Sequence, residues 1–475
     1  LAVALLAARL RAHPERALAG LARRLETGET GGLDAVGGGG RALRAVFDLS
    51  FQALPDGAKA VFGAIGVHPG RDYTADAIAA VTGTTGEEAD RELDRLLDEY
   101  LVRETTRGRY EVHDLVHDYA VEIAADVFPD RSAAFDRLAR WYLHSAHAAA
   151  LAIEAFNLPE MKPDPEVRPA VFESYDAAMA WYDAETENLR AVHQVAAASG
   201  LVDVCWRLAV CLRTFMNLRV RIEDNYGFHQ RAAEVARAHG EPKTLAFMLI
   251  GMSTPAQQLD RPEEAEAVLT EALRLAEATG DLVNQGRAMM ERGTMLNRLG
   301  RPAEAVPLWQ DVIAIYESLG DRRSVMLSHL NLGVMQFGLG HPDLSWDEFQ
   351  HALREAQAVG EPRAECIIRG NIGELLVHRG DYAQAHAHFL EHHAFAEAIG
   401  DRQQCAESLA GQGNALHGLG RVAEAEQLWT AALAMFEELN GSAQTAREVR
   451  ERLERLKRSR EDPAAAGATA RPESG

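Results

Sequence analysis

Glycine recurs every 40 residues through the second half of this 475-residue chain. It stands at Gly200, Gly240, Gly280, Gly320, Gly360 and Gly400, and the next step lands on Asn440-Gly441. A second series, Gly300, Gly340, Gly380 and Gly420, runs midway between the first. A third, Gly293, Gly333, Gly373 and Gly413, lies within the first half of each unit. Three registers sharing one period argue against chance. The period is too long for a coiled coil and lies in the range of helical-pair solenoids.

Each unit reads as two helices. In 281–320, Gly280 suits the left-handed conformation that ends one helix, and Asp281 suits the cap that starts the next. Asp321, Glu361 and Asp401 hold the same place. The turn Leu299-Gly300-Arg301 returns as Leu339-Gly340-His341, Arg379-Gly380-Asp381 and Leu419-Gly420-Arg421. A small residue and then a bulky one follow it: Ala305 and Trp309, Ser345 and Phe349, Ala385 and Phe389, Ala425 and Trp429. Ala265 and Leu269 open that series. Small residues let helices approach, and the bulky residue four positions on fills the same face. A single pair cannot bury its apolar face, so stacking supplies the core.

These residues resemble the tetratricopeptide repeat, with Asn331-Leu332-Gly333 and Gly380-Asp381-Tyr382 with Ala385 as close matches. The repeat is longer here than the family's usual length of about 34 residues. The resemblance implies a right-handed superhelix over 201–458 whose first helices line a concave face.

The charge balance is acidic, with a net charge of −22. That repels phosphate backbones and speaks against non-specific nucleic-acid binding. Leu1 to Leu10 is apolar but is broken by Arg9 and Arg11, so it is not expected to span a membrane. Cys205, Cys211, Cys366 and Cys405 show no Cys-x-x-Cys spacing, which fits a reduced cytoplasmic protein without structural zinc. The chain begins at Leu1 with a helical pattern already under way, so the reading is a fragment with further sequence upstream.

Ahead of the repeats, the stretch 1–36 reads as the end of a helical domain, with two short helices in 1–27 broken at His13-Pro14, and 28–40 reads as a glycine-rich joint. Residues 41–127 read as helices at Arg41–Phe51, from Pro55-Asp56 to Ile65, Thr74–Val81 and from Thr85 with Leu93, Leu96 and Leu97 inward. A hairpin with its turn at Arg107-Gly108 follows, then a helix from Asp114 to about Ala125. Helices, a hairpin and a helix in that order are the winged-helix pattern. The linking segment 128–200 reads as a helix over Phe135–Ala150, a proline-rich loop, and a helical pair at Tyr175–Asp183 and Glu187–Ala198. Leu201–Gly240 reads as a degenerate repeat, Arg447–Arg458 as a closing helix, and 459–475 as a disordered tail. The helix that would enter a DNA groove, Glu87–Tyr100, carries Glu87, Glu88, Asp90, Glu92, Asp94, Asp98 and Glu99 against Arg91 and Arg95. Such a face repels both bases and phosphates, so no direct nucleic-acid contact is expected.

Several stretches resemble the winged-helix part of NB-ARC signal-transduction ATPases (STAND-type), in the form found in actinobacterial transcription regulators of secondary metabolism. They are Phe47 to Pro55, Gly66-Val67-His68-Pro69-Gly70, and His113-Asp114-Leu115 with Tyr119-Ala120. Tyr142-Leu143-His144, and Trp181 with Glu185, Asn188 and Leu189, resemble the following segment of those regulators. Leu1-Ala2 is similar to the end of that family's sensor stretch. The resemblance implies a P-loop ATPase core upstream, with ADP or ATP and Mg in the full-length protein; no P-loop motif occurs in this chain. It also implies that Val112-His113-Asp114 meets ADP in the off state, His113 and Asp114 carrying the polar contacts. The family usually has Met where this chain has Val112. Taken without the resemblance, the same residues read as an Asp N-cap beside a structural histidine.

Two other readings are weighed. His113 and His117 at i, i+4 have the spacing of a zinc-hydrolase helix, with no evident third ligand. His386, His388, His392 and His393 cluster on one helix as solvated histidines, of which His388 and His392 share a face and suit titration near neutrality. No catalytic arrangement stands out, so the chain is not expected to be an enzyme. The register places Arg287, Met290, Asn297, Arg298, Leu327, Leu330, Val334, Phe337, Glu374, Val377, His378, Asn414 and His417 on the concave face. Its middle is apolar and its flanks polar, which suits a protein or peptide partner; the alternative is that some of these residues are core. The reading is a mainly α regulatory and sensor fragment, with a plain scaffold as the alternative.

Overall fold

The computed structural model describes residues 39–154, 158, 161–439 and 443–461. The segments expected within 1–36, most of the glycine-rich joint, Asn440-Gly441 and nearly all of the tail lie outside them. The described residues form helices and one small sheet, and the chain divides into two compact units, Leu1–Glu271 and Ala272–Gly475.

The first unit begins with α1 (Gly39–Ala53), α2 (Asp56–Val67), β1 (Asp72–Thr74), α3 (Ala75–Thr82), α4 (Gly86–Asp98), β2 (Arg103–Thr106), β3 (Arg109–Glu111) and α5 (Asp114–Val127). Two starts show local chemistry at work. Thr74 caps α3 by accepting from the Ala77 amide, and Thr85 with Glu88 forms a capping box on α4. The hairpin is present as read, and a third strand joins it. β1 pairs antiparallel with β3, giving the order β1-β3-β2. That strand has three residues, too few to show alternation in a sequence. Phe47, Phe51, Phe62 and Tyr119 pack ring against ring beneath α1, α2 and α5. α2 and α5 meet at Gly66, where a Cβ would stand 2.1 Å from the Ala120 carbonyl oxygen. Leu93 and Leu96 are buried as expected, while Leu97 is half-buried.

α6 (Arg131–Ile153) and α7 (Tyr175–Ala198) follow. Here the expected pair at 175–183 and 187–198 is one continuous helix. Residues 184–186, Ala-Glu-Thr, carry neither Gly nor Pro, so nothing interrupts the turns. α7 packs against α6 and α8 (Val202–Leu218). α8, α9 (Ile222–Ala238) and α10 (Pro242–Gln258) continue in the 40-residue rhythm, and α11 (Pro262–Thr279) runs across the division between the units.

The second unit is built of α12 (Leu282–Arg298), α13 (Pro302–Leu319), α14 (Arg322–Gly338), α15 (Pro342–Val359), α16 (Pro362–Arg379), α17 (Tyr382–Ile399), α18 (Arg402–Gly418), α19 (Val422–Glu438) and α20 (Ala443–Glu461). These are tetratricopeptide-like pairs, each even-numbered helix from α12 to α18 followed by its antiparallel partner. The glycines of both turn series have positive φ, between +62° and +83°. Val220 (φ +55°) and Asp260 (φ +59°) hold the same place two periods and one period ahead of Gly300. The period therefore continues where glycine does not. The third series has a different purpose. A Cβ on Gly293, Gly333, Gly373 or Gly413 would fall within 2.6 Å of the ring of Trp309, Phe349, Phe389 or Trp429. Each repeat thus seats an aromatic ring of its second helix on a glycine of its first. The small partners Ala305, Ser345, Ala385 and Ala425 are fully buried beside those rings. α20 lays Ala446, Val449 and Leu453 on the core around Trp429 and Phe436, closing the stack as read.

Candidate functional site

β3 delivers the chain through buried Val112 to His113, which is exposed at the start of α5. His113, not Asp114, is the N-cap. Its backbone is extended (φ −68°, ψ 145°) and its Nδ1 accepts from the Leu115 amide at 3.3 Å. A ring that accepts at Nδ1 carries its proton at Nε2, so His113 presents an N–H donor. Asp114 is the first helical residue, already past the cap position. Its carboxylate takes an ion pair from Arg71 instead of the free amides. One turn on, His117 is half-buried, with its Nε2 enclosed and unpartnered among the described residues. Burial and Arg71 lower its pKa. Among the described residues no three His, Cys, Asp or Glu side chains converge on a metal-sized site, so the zinc arrangement finds no third ligand here.

Behind this surface lies a buried polar network. His68 accepts from the Gly70 amide at Nδ1 (3.0 Å) and donates from Nε2 to the Tyr142 hydroxyl (3.0 Å). Tyr142 donates to Glu185 (2.9 Å), which also accepts from Asn188 (2.7 Å) and pairs with Arg109. Arg109 bonds Asp72 at 2.6 Å, and Asn188 donates to the Asp72 carbonyl at 3.0 Å. His68, Tyr142, Glu185 and Asn188 are all buried, and burial holds the His68 pKa down at about 4. A Cβ on Gly70 would stand 1.9 Å from Asn188 Oδ1. The separate stretches around His68, Tyr142 and Glu185 thus meet in one place and tie the sheet to α6 and α7. Arg71, Asp72 and Arg109 went unread. Each looks in sequence like an ordinary outward charge beside a turn or hairpin.

On α4 the residues Glu87, Glu88, Asp90, Asp94 and Asp98 are exposed, so the acidic face is real. The histidine cluster on α17 is not solvated as a whole. His392 is fully buried, hydrogen-bonded to Gln404 at 3.2 Å, and burial pushes its pKa to about 4. It does not titrate near neutrality, because the face it shares with Phe389 and Ala396 is the core face. His393 meets Ser408 at 2.6 Å.

In the second unit the first helices of successive repeats, α14, α16 and α18, contact one another, so their outer faces form one lining. Arg287, Asn297, Arg298, Val334, Glu374, His378 and His417 are exposed on it. Met290, Leu327, Leu330, Phe337, Val377 and Asn414 are half-buried. Leu327, Leu330, Phe337 and Val377 rest one side on the core and leave the other to the lining. Phe337 and His378 meet edge to face across neighbouring repeats, with centroids 5.0 Å apart. Ile367, 37% exposed, belongs to the same row and was not read, although it lies one period after Leu327. Asn414 accepts from Trp429 Nε1 at 3.0 Å and from Arg452 of α20. Glu374 is open to water yet deep in the lining. Partial desolvation, then Glu448 and Glu407, raise its pKa, and Arg452 opposes them.

A tetratricopeptide repeat family model matches residues 286–319. The chain is 30% identical over 304 residues to the regulatory protein AfsR of Streptomyces griseus, covering 62% of this chain and 30% of that protein. It is 31% identical over 218 residues to AfsR of Streptomyces coelicolor, covering 43% of this chain and 22% of that protein. The chain therefore spans less than a third of the length of these curated relatives. Among solved structures, it is similar to a signal transduction ATPase with numerous domains (STAND) that has a tetratricopeptide repeat sensor, from Pyrococcus horikoshii. That likeness has a TM-score of 0.39 and 14% identity, covering 86% of this chain and 64% of the other. Taken together, the repeats and the sequence relatives show a tetratricopeptide-repeat chain that is similar to part of a regulatory protein.

Proposed function

We propose that this chain is the sensor region of a STAND-type transcription regulator. In this reading the lining of α12, α14, α16 and α18 docks a protein or peptide, and the domain of α1–α5, a winged helix, reads the nucleotide held by an ATPase core. The observation that carries the docking role is the row Leu327, Leu330, Val334, Phe337 and Ile367. These side chains remain accessible in a lining whose neighbours are buried. Large apolar groups accessible in one row mark an interaction surface more often than isolated ones do. The test is reporter output of the full-length regulator carrying Leu330→Asp or Phe337→Ala. The reading expects a lost response with normal folding; a normal response from both variants places the docking site elsewhere.

The nucleotide role rests on His113. Its Nε2–H is exposed and held in orientation by its own cap bond, as a donor to a diphosphate oxygen needs to be. The acidic α4 favours a packing or signalling role for the winged helix over duplex DNA binding. In this reading the buried network around Glu185 passes the position of His113 on to α6 and α7, and ADP held by the core and His113 keeps the regulator off.

A further inference from the structure

The closing helix α20 brings two arginines to the end of the repeats without a carboxylate for either. Arg452 donates to Asn414 Oδ1 and lies 6.0 Å from the centroid of the Trp429 ring. Arg455 is exposed and bonds only the Glu451 carbonyl of its own helix, at 3.4 Å. Among the described residues neither guanidinium has an ion-pair partner, whereas Arg450 and Arg458 of the same helix pair with Glu437 and Glu454.

Arg452 and Arg455 both face a cavity of about 500 Å³ whose other walls come from α16, α17, α18 and α19. No carboxylate lines it among the described residues. In a chain with a net charge of −22, a wall whose only fixed charges are positive runs against the trend. The neutral polar groups there can also donate. Asn414 Oδ1 is taken up by Trp429 Nε1 and Arg452, which leaves its NH2 group to donate. The Tyr382 hydroxyl has no partner among the described residues. Glu374 feels Arg452 through space, but it neither pairs with it nor lines the cavity. Val377, Leu456 and the Trp429 ring make the remaining wall apolar. Asn414 and the Trp429 face already hold the Arg452 guanidinium, so a ligand need not order it.

We propose that this cavity binds a small organic anion, a carboxylate or phosphate group on an apolar body. Arg452 and Arg455 would hold the anion, with the Asn414 amide and the Tyr382 hydroxyl donating beside them. Val377, Leu456 and Trp429 would cover the body. The cavity volume of about 500 Å³ lies in the range of small-molecule sites. This goes beyond the docking reading above and does not depend on it. A ligand there would join α20 to the repeats that it closes.

The test is a ligand-observed NMR titration of the 475-residue chain with phenylbutyrate, phenyl phosphate, phenylbutanol and phenylbutylamine. The expected result is saturable, millimolar or tighter binding of the two anions and none of the alcohol or the amine. Whichever anion binds tighter names the group that the cavity prefers. Arg452→Gln and Arg455→Glu should each weaken that anion roughly tenfold or more, the value of one charge-assisted hydrogen bond, and added salt should weaken it too. Arg455 is exposed, so Arg455→Glu should keep the wild-type circular dichroism and melting temperature. Anions that bind Arg455→Glu as tightly as wild type would overturn the proposal. So would an amine that binds as well as the carboxylate, or no saturable binding of either anion.

Discussion

In residues 281–439 each repeat joins its two helices by setting an aromatic ring on a glycine, as Phe389 sits on Gly373. In residues 66–188 the joining is done by a carboxylate: Glu185 gathers Tyr142, Asn188 and Arg109 in the interior. The first contact is apolar, local and copied every 40 residues. The second is polar, assembled from segments far apart in the chain, and present once. An apolar contact loses strength gradually when trimmed. A buried charged network fails abruptly, because the partners left behind are desolvated and unpaired. The repeats are thus tolerant by redundancy, and the network is specific and fragile.

The largest effect should come from breaking the network. Glu185→Ala leaves Arg109 with Asp72 alone and takes the acceptors of the Tyr142 hydroxyl and the Asn188 amide, and should cost about 3 kcal/mol. Calorimetry of the whole chain should show the transition of the first unit moving down while that of the second stays. With two units, a single unfolding free energy is not defined, so the transitions must be followed separately. An unmoved first transition would mean that the network contributes nothing to stability.

Acid should separate the units next. Burial lowers His68 and His229 to about 4 and His193 to about 3 in the first unit, and His392 to about 4 in the second. The folded pKa lies below the unfolded value of 6.5, so between those values the unfolded chain binds more protons. Stability is therefore lost as pH falls from about 6.5 toward 4, by ~1–2 kcal/mol per ring at pH 5. With three such rings against one, the first unit should lose melting temperature faster between pH 7 and 5. Parallel loss in both would contradict this comparison.

Overpacking tests the repeats. Gly373→Val places methyl groups where the Phe389 ring lies and should cost ~1–3 kcal/mol in the second unit alone. Urea unfolding followed by tryptophan fluorescence would register it; no loss would mean that the ring is not seated as described.

The smallest effect concerns the turns. Val220 keeps a left-handed backbone with a β-branched side chain, where Gly300 holds the same place later. Val220→Gly should stabilise by up to ~1 kcal/mol, since relief of the strain is partly offset by the entropy of glycine. Gly300→Val should do the reverse. Changes of the same sign in both would show that the two turns are not equivalent.

This contrast also explains what could be read from sequence. Repetition averages out accidents, so Gly293 to Gly413 with Trp309 to Trp429 declared both helices and their closeness. The partial exposure of the row from Leu327 to Phe337 follows from register alone, and so does that of Ile367, one period after Leu327. The first unit offers no repetition. Its helices and hairpin follow from caps, turns and apolar spacing, but β1 is too short to show a period. The unbroken α7 conceals the fact that one face of it is polar inside. Nothing local to Asp72, Arg109 or Glu185 says that they meet. The start of the helix at His113-Asp114 is legible, but the capping bond belongs to His113 and not to the expected Asp114, because Asp is the commoner cap and Arg71 is distant in sequence.

The proposed division of labour, nucleotide reading in the first region and docking in the second, is tested most directly by the nucleotide content of the longer protein to which that proposal assigns this chain, purified as wild type, as His113→Ala and as Leu330→Asp. The account predicts that His113→Ala loses bound ADP, by roughly tenfold or more in affinity for one charge-assisted hydrogen bond, and raises basal output. It predicts that Leu330→Asp retains ADP at the wild-type level. Equal ADP in wild type and His113→Ala would contradict it.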